Sequence, residues 1–315
     1  MKKMHSGLPE NIRNFPWCGS SKDFREKMKG MDFISHCFGG EMMSKQDICS
    51  LNYEEIQEEM KRIGEKAFRG RQIYEWLHVK LADDFSQMTN LSKSLREKLE
   101  AHYEIPKLHV AAHQISRKDP TEKFLFELSD GNMIESVLMK YEYGNSVCIS
   151  SQAGCRMGCR FCASTIGGLK RNLATSEMLR QIYQVQKISG ERVSNIVIMG
   201  TGEPLDNYEN FVKFLHMISD EHGLHISQRS ITASTCGIVP KMHELAEEGL
   251  QITLALSLHG SSQEKRRELM PVANKYALPK VLEACDHYFE KTGRRVTFEY
   301  SLVKESMTGR RISGD

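Results

Sequence analysis

The sequence predicts an α/β protein, a partial barrel of parallel strands and helices preceded by a small helical domain and a β-hairpin. Three observations support this fold. Residues 47–99 carry apolar side chains at helical spacing, Asp130-Gly131 separates two strand-like segments, and five apolar segments after residue 146 alternate with amphipathic ones. Strands that alternate with helices form parallel sheets with right-handed crossovers, and a barrel or part of one is the simplest closure.

The first predicted domain, residues 43–105, is a helical accessory domain. Its apolar residues recur three and four positions apart: Ile56, Met60, Ile63, Ile73, Trp76, Leu77, Leu91, Leu95 and Leu99. Basic residues cluster within it, namely Lys61, Arg62, Lys66, Arg69 and Arg71. The cluster could meet the phosphates of a nucleic acid. A solvated helix face is an equal alternative, because Glu54, Glu55, Glu58 and Glu59 lie beside it.

A β-rich linker, residues 106–145, and the barrel, residues 146–303, follow. The linker carries strand segments 123–128 and 133–140, which a hairpin turn joins. The barrel strands are expected at 146–150, 195–199, 230–233, 251–258 and 295–303, and the helices at 175–189, 208–222, 240–248 and 277–291.

Composition limits the classes of function. The chain has 315 residues with 43 basic and 41 acidic ones, so contact with a nucleic acid requires a local basic patch. No apolar run approaches the roughly 18 residues of a membrane span, and the N-terminus has no signal-peptide core. We therefore expect a cytoplasmic monomer without membrane contact. Four of nine cysteines fall between Cys148 and Cys162, which in a reducing compartment indicates metal or redox chemistry.

Unusual residues follow four of the predicted strands. The cysteine cluster follows the first, Gly202-Glu203-Pro204 the second, Ser234-Thr235-Cys236-Gly237 the third, and Ser257-Leu258-His259-Gly260 the fourth. The carboxyl ends of barrel strands meet at one edge, where such folds assemble active sites. We therefore expect these segments to form a common site.

Cys155, Cys159 and Cys162 offer three thiolates within eight residues, and Gly154 and Gly158 allow the backbone to wrap tightly. Three ligands on a four-iron cube leave one iron open for chemistry, whereas a structural metal site is closed by a fourth ligand. A zinc site completed by a distant histidine, or three unrelated core cysteines, are the alternatives.

The spacing C-x3-C-x2-C, with Phe161 before the last cysteine, resembles the radical S-adenosylmethionine (SAM) superfamily. The resemblance implies a (β/α)6-type radical SAM barrel, a [4Fe-4S] cluster on the three cysteines and bound SAM. It places Gly202, Glu203, Ser234, Ser257, Leu258 and His259 at the cofactor. Without the resemblance, each of the polar residues would be interpreted as an ordinary residue at the end of a strand. The residue types nevertheless suit a cofactor, because glycine permits close backbone approach and a carboxylate can bind an ammonium group.

Further motifs resemble the RlmN/Cfr RNA methyltransferase family: Gly64-Glu65-Lys66-x-Phe68-Arg69, Ile134-Glu135-Ser136-Val137, Cys148-x-Ser150-Ser151-Gln152, Gly202-Glu203-Pro204-Leu205 and Ser257-Leu258-His259. The resemblance implies methylation of adenosine C2 in 23S rRNA and tRNA, two SAM molecules, and an electron donor such as flavodoxin. It makes Glu135 the proton acceptor and Cys148 the thiol that releases product. Without it, Cys148 would be interpreted as a core residue and Glu135 as a surface charge.

The two ends of the sequence depart from that family. The family carries a methyl-bearing cysteine after the fifth barrel unit, but no cysteine follows Cys285 here, so the chain as written is expected to be inactive. Residues 304–315 are interpreted as an aberrant tail that arose from one nucleotide lost at Lys304. Residues 1–42 are interpreted as a non-native leader, with translation expected to begin at Met42 or Met43.

Two other functions remain open on the sequence. One is a radical SAM enzyme with a small-molecule or protein substrate. The other is a zinc-stabilised RNA-binding module, which would contain zinc in place of iron and sulfide.

Overall fold

The computed structural model describes residues 45–301, which form twelve strands and eight α-helices. The strands are β1 Gln46–Asp47, β2 Tyr103–Glu104, β3 His109–Ile115, β4 Thr121–Glu127, β5 Met133–Tyr141, β6 Gly144–Ile149, β7 Gln152–Ala153, β8 Arg171–Asn172, β9 Val193–Ile198, β10 Ile231–Thr235, β11 Thr253–Ser257 and β12 Val296–Glu299. The α-helices are α1 Tyr53–Arg62, α2 Phe68–His78, α3 Lys93–His102, α4 Thr175–Ser189, α5 Tyr208–Ser219, α6 Val239–Glu247, α7 Gln263–Leu269 and α8 Leu278–Thr292. The predicted leader and tail lie outside the described residues.

Eight strands form one sheet in the order β12-β11-β10-β9-β6-β5-β4-β3. Strands β6, β9, β10, β11 and β12 are parallel, and each pair is separated along the chain by helix, so the predicted partial α/β barrel is confirmed. The antiparallel strands β5, β4 and β3 extend the same sheet, because β5 pairs with β6. The segment interpreted as a linker therefore belongs to the main sheet.

The sequence pattern located most barrel elements. The predicted helix 175–189 coincides with α4, which buries most of its residues. Strand β3 and helix α7 were not predicted. All seven residues of β3 are exposed, and α7 buries only Arg266. Neither segment therefore carries the apolar periodicity on which the sequence prediction depended.

The segments that flank the N-terminal helices α1 and α2 contact barrel helix α4 through polar groups. The hydroxyl of Ser50 accepts a hydrogen bond from the Ser176 amide at 3.1 Å, and the Ser176 hydroxyl donates to Asp47. Buried Arg180 pairs with Asp83. The helix α1 begins at an Asn52 capping box, with reciprocal bonds to Glu55. These contacts hold α1 and α2 against the barrel.

In residues 45–301, no helix has both the length and the apolar character that crossing a membrane requires.

His78 makes the stability of this packing depend on pH. Its ring is fully buried between α2 and α4, its Nδ1 lies 2.8 Å from the Tyr183 hydroxyl, and burial lowers its pKa to about 3. The unfolded chain binds this proton near pH 6.5, whereas the folded chain does not. The contribution of neutral His78 to stability is therefore complete above about pH 6.5 and is lost progressively as the pH falls towards 3.

We expect the free energy of unfolding to fall by about 2 kcal/mol between pH 7 and pH 5 through His78 alone. Urea unfolding at both pH values measures it. The H78F variant is expected to lose that part of the pH dependence, whereas H216Q, at an exposed position on α5, is expected to keep it. Equal pH dependence in H78F and the wild type would contradict the assignment.

Candidate active site

Two strand-end loops are joined by backbone hydrogen bonds. The Thr201 carbonyl, after β9, accepts from the amides of Ser151 and Gln152, after β6, at 2.9 and 3.1 Å. The Ser150 hydroxyl accepts from the Thr201 amide at 2.9 Å, and the Gln152 side-chain carbonyl accepts from the Glu203 amide at 2.9 Å. The loop that leads to the cysteines and the Gly-Glu-Pro loop thus form one rigid edge.

Glycine is required at two positions of this edge. A Cβ at Gly154 would lie 2.0 Å from the Gly168 carbonyl oxygen, and its φ is +76°. A Cβ at Gly202 would lie 2.6 Å from the Gln152 Cβ, and its φ is +112°. Both residues therefore combine close approach with backbone angles that other residues rarely adopt.

The three candidate ligand cysteines lie on the loop that follows. Cys155 and Cys159 are buried and Cys162 is partly exposed. Burial raises the pKa of Cys155 to about 11 and that of Cys159 to about 12, and negative charge on Cys162 would raise both further. The neutral thiols of Cys155 and Cys159 are thus favoured until a bound cation stabilises their thiolates. In the described part of the chain, no three His, Cys, Asp or Glu side chains are arranged to hold a single metal ion. The three thiols are a candidate set because they share one loop and because the charge of Cys162 would act on both Cys155 and Cys159.

Cys236, which follows β10, is a fourth cysteine at this position. It packs with Cys159 and Met270 in a small apolar cluster, and its amide donates to the Glu203 carboxylate at 2.7 Å. Burial raises the pKa of this thiol well above its usual value, with a further contribution from Glu203. Cys236 thus lines the inner side of the cysteine loop as a neutral thiol.

Glu203 is a buried carboxylate at the centre of the edge. Its side chain is 4% exposed, and it accepts from the amides of Leu205 and Cys236 at 3.2 and 2.7 Å. Burial raises its pKa, while these hydrogen bonds act in the opposite direction. A buried carboxylate with remaining acceptor capacity favours a cationic partner such as an ammonium group.

Glu299 gathers the two candidate serines. Its Oε2 accepts from the hydroxyls of Ser234 and Ser257 at 2.8 and 2.9 Å, and the two hydroxyl oxygens are 3.1 Å apart. The three residues come from the carboxyl ends of β10, β11 and β12. Because both serines can donate to Glu299, their remaining lone pairs are available to accept from a ligand hydroxyl.

Leu258 and His259 continue the same edge. Both of their amides donate to the Glu299 carbonyl, at 3.0 and 3.2 Å. His259 has a φ of +49°, and its ring meets Phe161 edge-on at a centroid distance of 4.7 Å. Burial lowers the pKa of His259, so the neutral imidazole is favoured. This contact joins the fourth strand end to the cysteine loop.

Glu135 and Cys148 lie on neighbouring strands β5 and β6 near this edge. The Glu135 carboxylate pairs with Lys123 at 2.6 Å, and its carbonyl accepts from the Ser150 hydroxyl at 2.8 Å. Burial raises the pKa of Cys148 to about 11, and the charges of Glu135 and Glu299 contribute in the same direction. Cys148 therefore lies within electrostatic range of both Glu135 and Glu299.

All the candidate residues predicted from the sequence fall at or beside this one edge. Cys236 was expected at the site only as part of the segment that follows the third strand. Glu299 was not expected there, because the last strand was predicted to run to residue 303, whereas β12 ends at Glu299. Gln181 was not predicted either; its buried side-chain amide forms hydrogen bonds with Ser136, Ser150 and Glu177 and so supports the first strand end. Two surface cavities of about 460 and 570 Å³ among the helices are lined by none of these candidates.

The fold and this site define a radical SAM barrel. The Radical SAM superfamily profile matches residues 149–307, and the profile of the ribosomal RNA large subunit methyltransferase N-terminal domain matches residues 46–105. A crystal structure of a radical SAM methyltransferase from Sphaerobacter thermophilus superposes with a TM-score of 0.79 at 37% identity, over 83% of this chain and 77% of that one.

Similarity to curated proteins identifies the family within the radical SAM superfamily. The chain is 67% identical over 259 residues to the probable dual-specificity RNA methyltransferase RlmN of Lachnoclostridium phytofermentans, covering 82% of this chain and 73% of that protein. It is 60% identical to the protein of the same name from Lachnospira eligens, covering 82% and 74%. The chain belongs to the RlmN family of radical SAM methyltransferases.

The space at Gly154 gives a direct test of the loop geometry. We expect G154A to lower the free energy of unfolding by at least about 2 kcal/mol, because alanine adds both the left-handed strain and the overlap with Gly168. G167A is the matched control, since a Cβ at Gly167 meets nothing within 4 Å. Urea unfolding compares the two variants, and equal stability would contradict the geometry described here.

Proposed function

We propose that the site in this chain is that of an RNA methyltransferase, which methylates C2 of adenosine in 23S rRNA and tRNA with a [4Fe-4S] cluster, two molecules of SAM and an electron donor such as flavodoxin, and which also needs the methyl-bearing cysteine that the sequence lacks after Cys285. The observation that carries the proposal is the joining of the cysteine loop to the Gly-Glu-Pro loop through the Thr201 carbonyl. This joining places three thiols and a buried carboxylate at one strand edge. The names of the relatives give RNA as their substrate, and the N-terminal profile is named after large-subunit ribosomal RNA. The tRNA substrate and the C2 position are what the resemblance of the sequence motifs implies.

The donor set of the edge fits the proposed groups. Cys155, Cys159 and Cys162 would hold the cluster, which supplies single electrons to bound SAM, the source of the methyl group. Glu203 would accept from the ammonium group of SAM, since it is a buried carboxylate whose only described donors are uncharged. Gly202 would permit its close approach.

The serine cluster would bind the sugar of the cofactor. Ser234 and Ser257 are oriented by Glu299, so their outward lone pairs and the second carboxylate oxygen, Oε1, can accept from ribose hydroxyls. Leu258 would contact the adenine through its side chain, and His259 would donate or accept at the same opening. The neutral state of His259 keeps this side of the site free of added positive charge.

Glu135 and Cys148 would act on the RNA base. Lys123 pairs with the Glu135 carboxylate and so orients this candidate proton acceptor. Cys148 remains a protonated thiol at neutral pH because burial raises its pKa, and attack on a substrate adduct would first require transfer of that proton. Glu135 lies close enough to influence this pKa and is the candidate acceptor.

The N-terminal helices would contribute RNA contacts. Lys61, Arg62, Lys66 and Arg71 are exposed around the junction of α1 and α2. Phe68 is 50% exposed, with the Arg69 guanidinium 4.8 Å from its ring centre. Arg62 pairs with Glu59, which reduces its free charge. Exposed cations beside an exposed aromatic ring suit phosphate contact and base stacking.

The metal content separates the proposed function from the zinc alternative. After anaerobic reconstitution, we expect about four iron and four sulfide per chain, with the brown absorbance of a cluster. C155A, C159A and C162A are each expected to lose most of the iron, whereas C285S, in α8 outside the loop, is expected to keep it. A colourless protein that binds zinc would overturn the proposal.

A methylation assay tests the substrate. Because no cysteine follows Cys285 in the sequence, the assay uses an iron-loaded chain to which the family's acceptor-cysteine segment has been added. With SAM and a reductant, 2-methyladenosine in 23S rRNA or tRNA, detected by mass spectrometry of nucleosides, supports the proposal. Cleavage of SAM by the extended chain without any methylated nucleoside would point to a different substrate class.

The role of Glu299 gives a separate binding prediction. We expect E299Q to weaken SAM binding by about tenfold, because the amide no longer accepts strongly from both serines. Calorimetric titration of the reconstituted protein measures the dissociation constant. E290Q, at an exposed position on α8, is the control. A similar loss in both variants would argue against a specific role for Glu299.

A further inference from the structure

A fully buried arginine lies behind the cysteine loop. Arg266 on α7 is 0% exposed, and its Nε and Nη1 have no hydrogen-bond partner. Its Nη2 donates to the carbonyls of Cys236 and Ser257, at 2.6 and 3.3 Å. Arg266 thus ties the ends of β10 and β11 together and keeps two donors unused.

No carboxylate in the described part of the chain compensates this charge. Within residues 45–301 Arg266 makes no ion pair, and the groups whose negative forms lie close enough to affect it are the thiols of Cys236, Cys159 and Cys285. A guanidinium remains charged at all pH values that proteins tolerate. An uncompensated buried charge is strongly destabilising, so its presence requires a negative partner.

The segment that carries Arg266 packs directly on the cysteine loop. The Arg160 amide, inside the loop, donates to the Leu269 carbonyl at the end of α7 at 2.9 Å. Met270 packs against Cys159 and Cys236, and a Cβ at Gly158 would meet Pro271 at 3.4 Å. The position of Arg266 is therefore coupled to the position of the candidate ligand thiols.

Thiolates are the negative partner that the loop can supply. Three thiolates that hold an iron–sulfur cluster bring negative charge to this side of the site, and each added electron increases it. In a low-dielectric interior, a fixed cation at this position favours the reduced form. We propose that Arg266 is a positioning residue whose fixed charge offsets the thiolate-held cluster and makes its reduction more favourable. This inference rests on the proposed function, because it requires that the cysteines hold the cluster.

The test compares reduction of the cluster in full-length variants. R266M removes the charge and R266Q keeps a donor towards Cys236, whereas R266K keeps the charge. R267M is the matched control, since Arg267 is the exposed neighbour on the same helix. Each chain is reconstituted anaerobically and titrated with dithionite, and the reduced cluster is followed by its electron paramagnetic resonance signal.

We expect the equilibrium constant for reduction to fall at least tenfold in R266M and R266Q, about 59 mV for one electron. R266K and R267M are expected to stay within twofold of the wild type. Unchanged reduction in R266M and R266Q, with normal iron and sulfide, would overturn the inference and leave the proposed function intact. A wild-type chain without iron and sulfide would instead reject the proposed function and the inference together.

The increase in the urea midpoint on cluster assembly is a second readout, which does not depend on R266M alone. Before assembly, the buried charge of Arg266 is uncompensated and destabilises the chain. We therefore expect assembly to raise the urea midpoint more in the wild type and R267M than in R266Q. Should R266M fail to fold, R266Q carries both measurements. An equal rise in all chains would contradict the proposed charge compensation.

Discussion

The site depends on the hydrogen bonds that backbone amides and carbonyls make just beyond the ends of β6 and β9. Beyond the last ladder bonds, a buried amide or carbonyl needs a new partner. The Thr201 carbonyl takes two amides of the opposite loop, and the Ser150 hydroxyl bridges Thr201 to the Glu135 carbonyl. These bonds fix the start of the cysteine loop, the Gly-Glu-Pro turn and the strand that carries Glu135 relative to one another. A ligand that spans these segments would meet a preorganised edge.

Two buried charges of opposite sign lie on either side of Cys236. Its amide donates to the Glu203 carboxylate, and its carbonyl accepts from Arg266. One peptide segment thus separates the groups, which do not form a direct ion pair within the described residues. Burial penalises both charges. Such separated charges suit a site proposed to bind both a cationic amine and an anionic metal cluster. Glu203 would compensate the amine, and Arg266 would compensate the cluster.

The sequence predicted the elements that carry strong apolar periodicity and missed those that do not. Helix α4 was located to the residue because the apolar residues Met178, Ile182 and Val185 recur at helical spacing. Strands β4 and β5 followed from the Asp130-Gly131 turn. Strand β3 has only exposed residues, and its pairing with β4 supplies the reason for its extended form. Helix α7 buries the charged residue Arg266 and no apolar residue, and a charged residue in a sequence is normally interpreted as exposed. The hairpin was found, but its membership of the main sheet became visible only through the pairing of β5 with β6.

The sequence by itself determined the chemistry that depends on local spacing. Three cysteines lie within eight residues beside Gly154, and this spacing alone predicts the cysteine loop. Polar residues follow successive strands, which predicts a site at the carboxyl edge of the sheet without knowledge of distant contacts. Tertiary structure decided which distant groups meet there. Glu299 is 65 residues from Ser234, and Arg266 is 30 residues from Cys236. The role of each depends on burial and charge in three dimensions, because a carboxylate or guanidinium is an ordinary solvated group until the fold removes it from water and leaves it with particular partners.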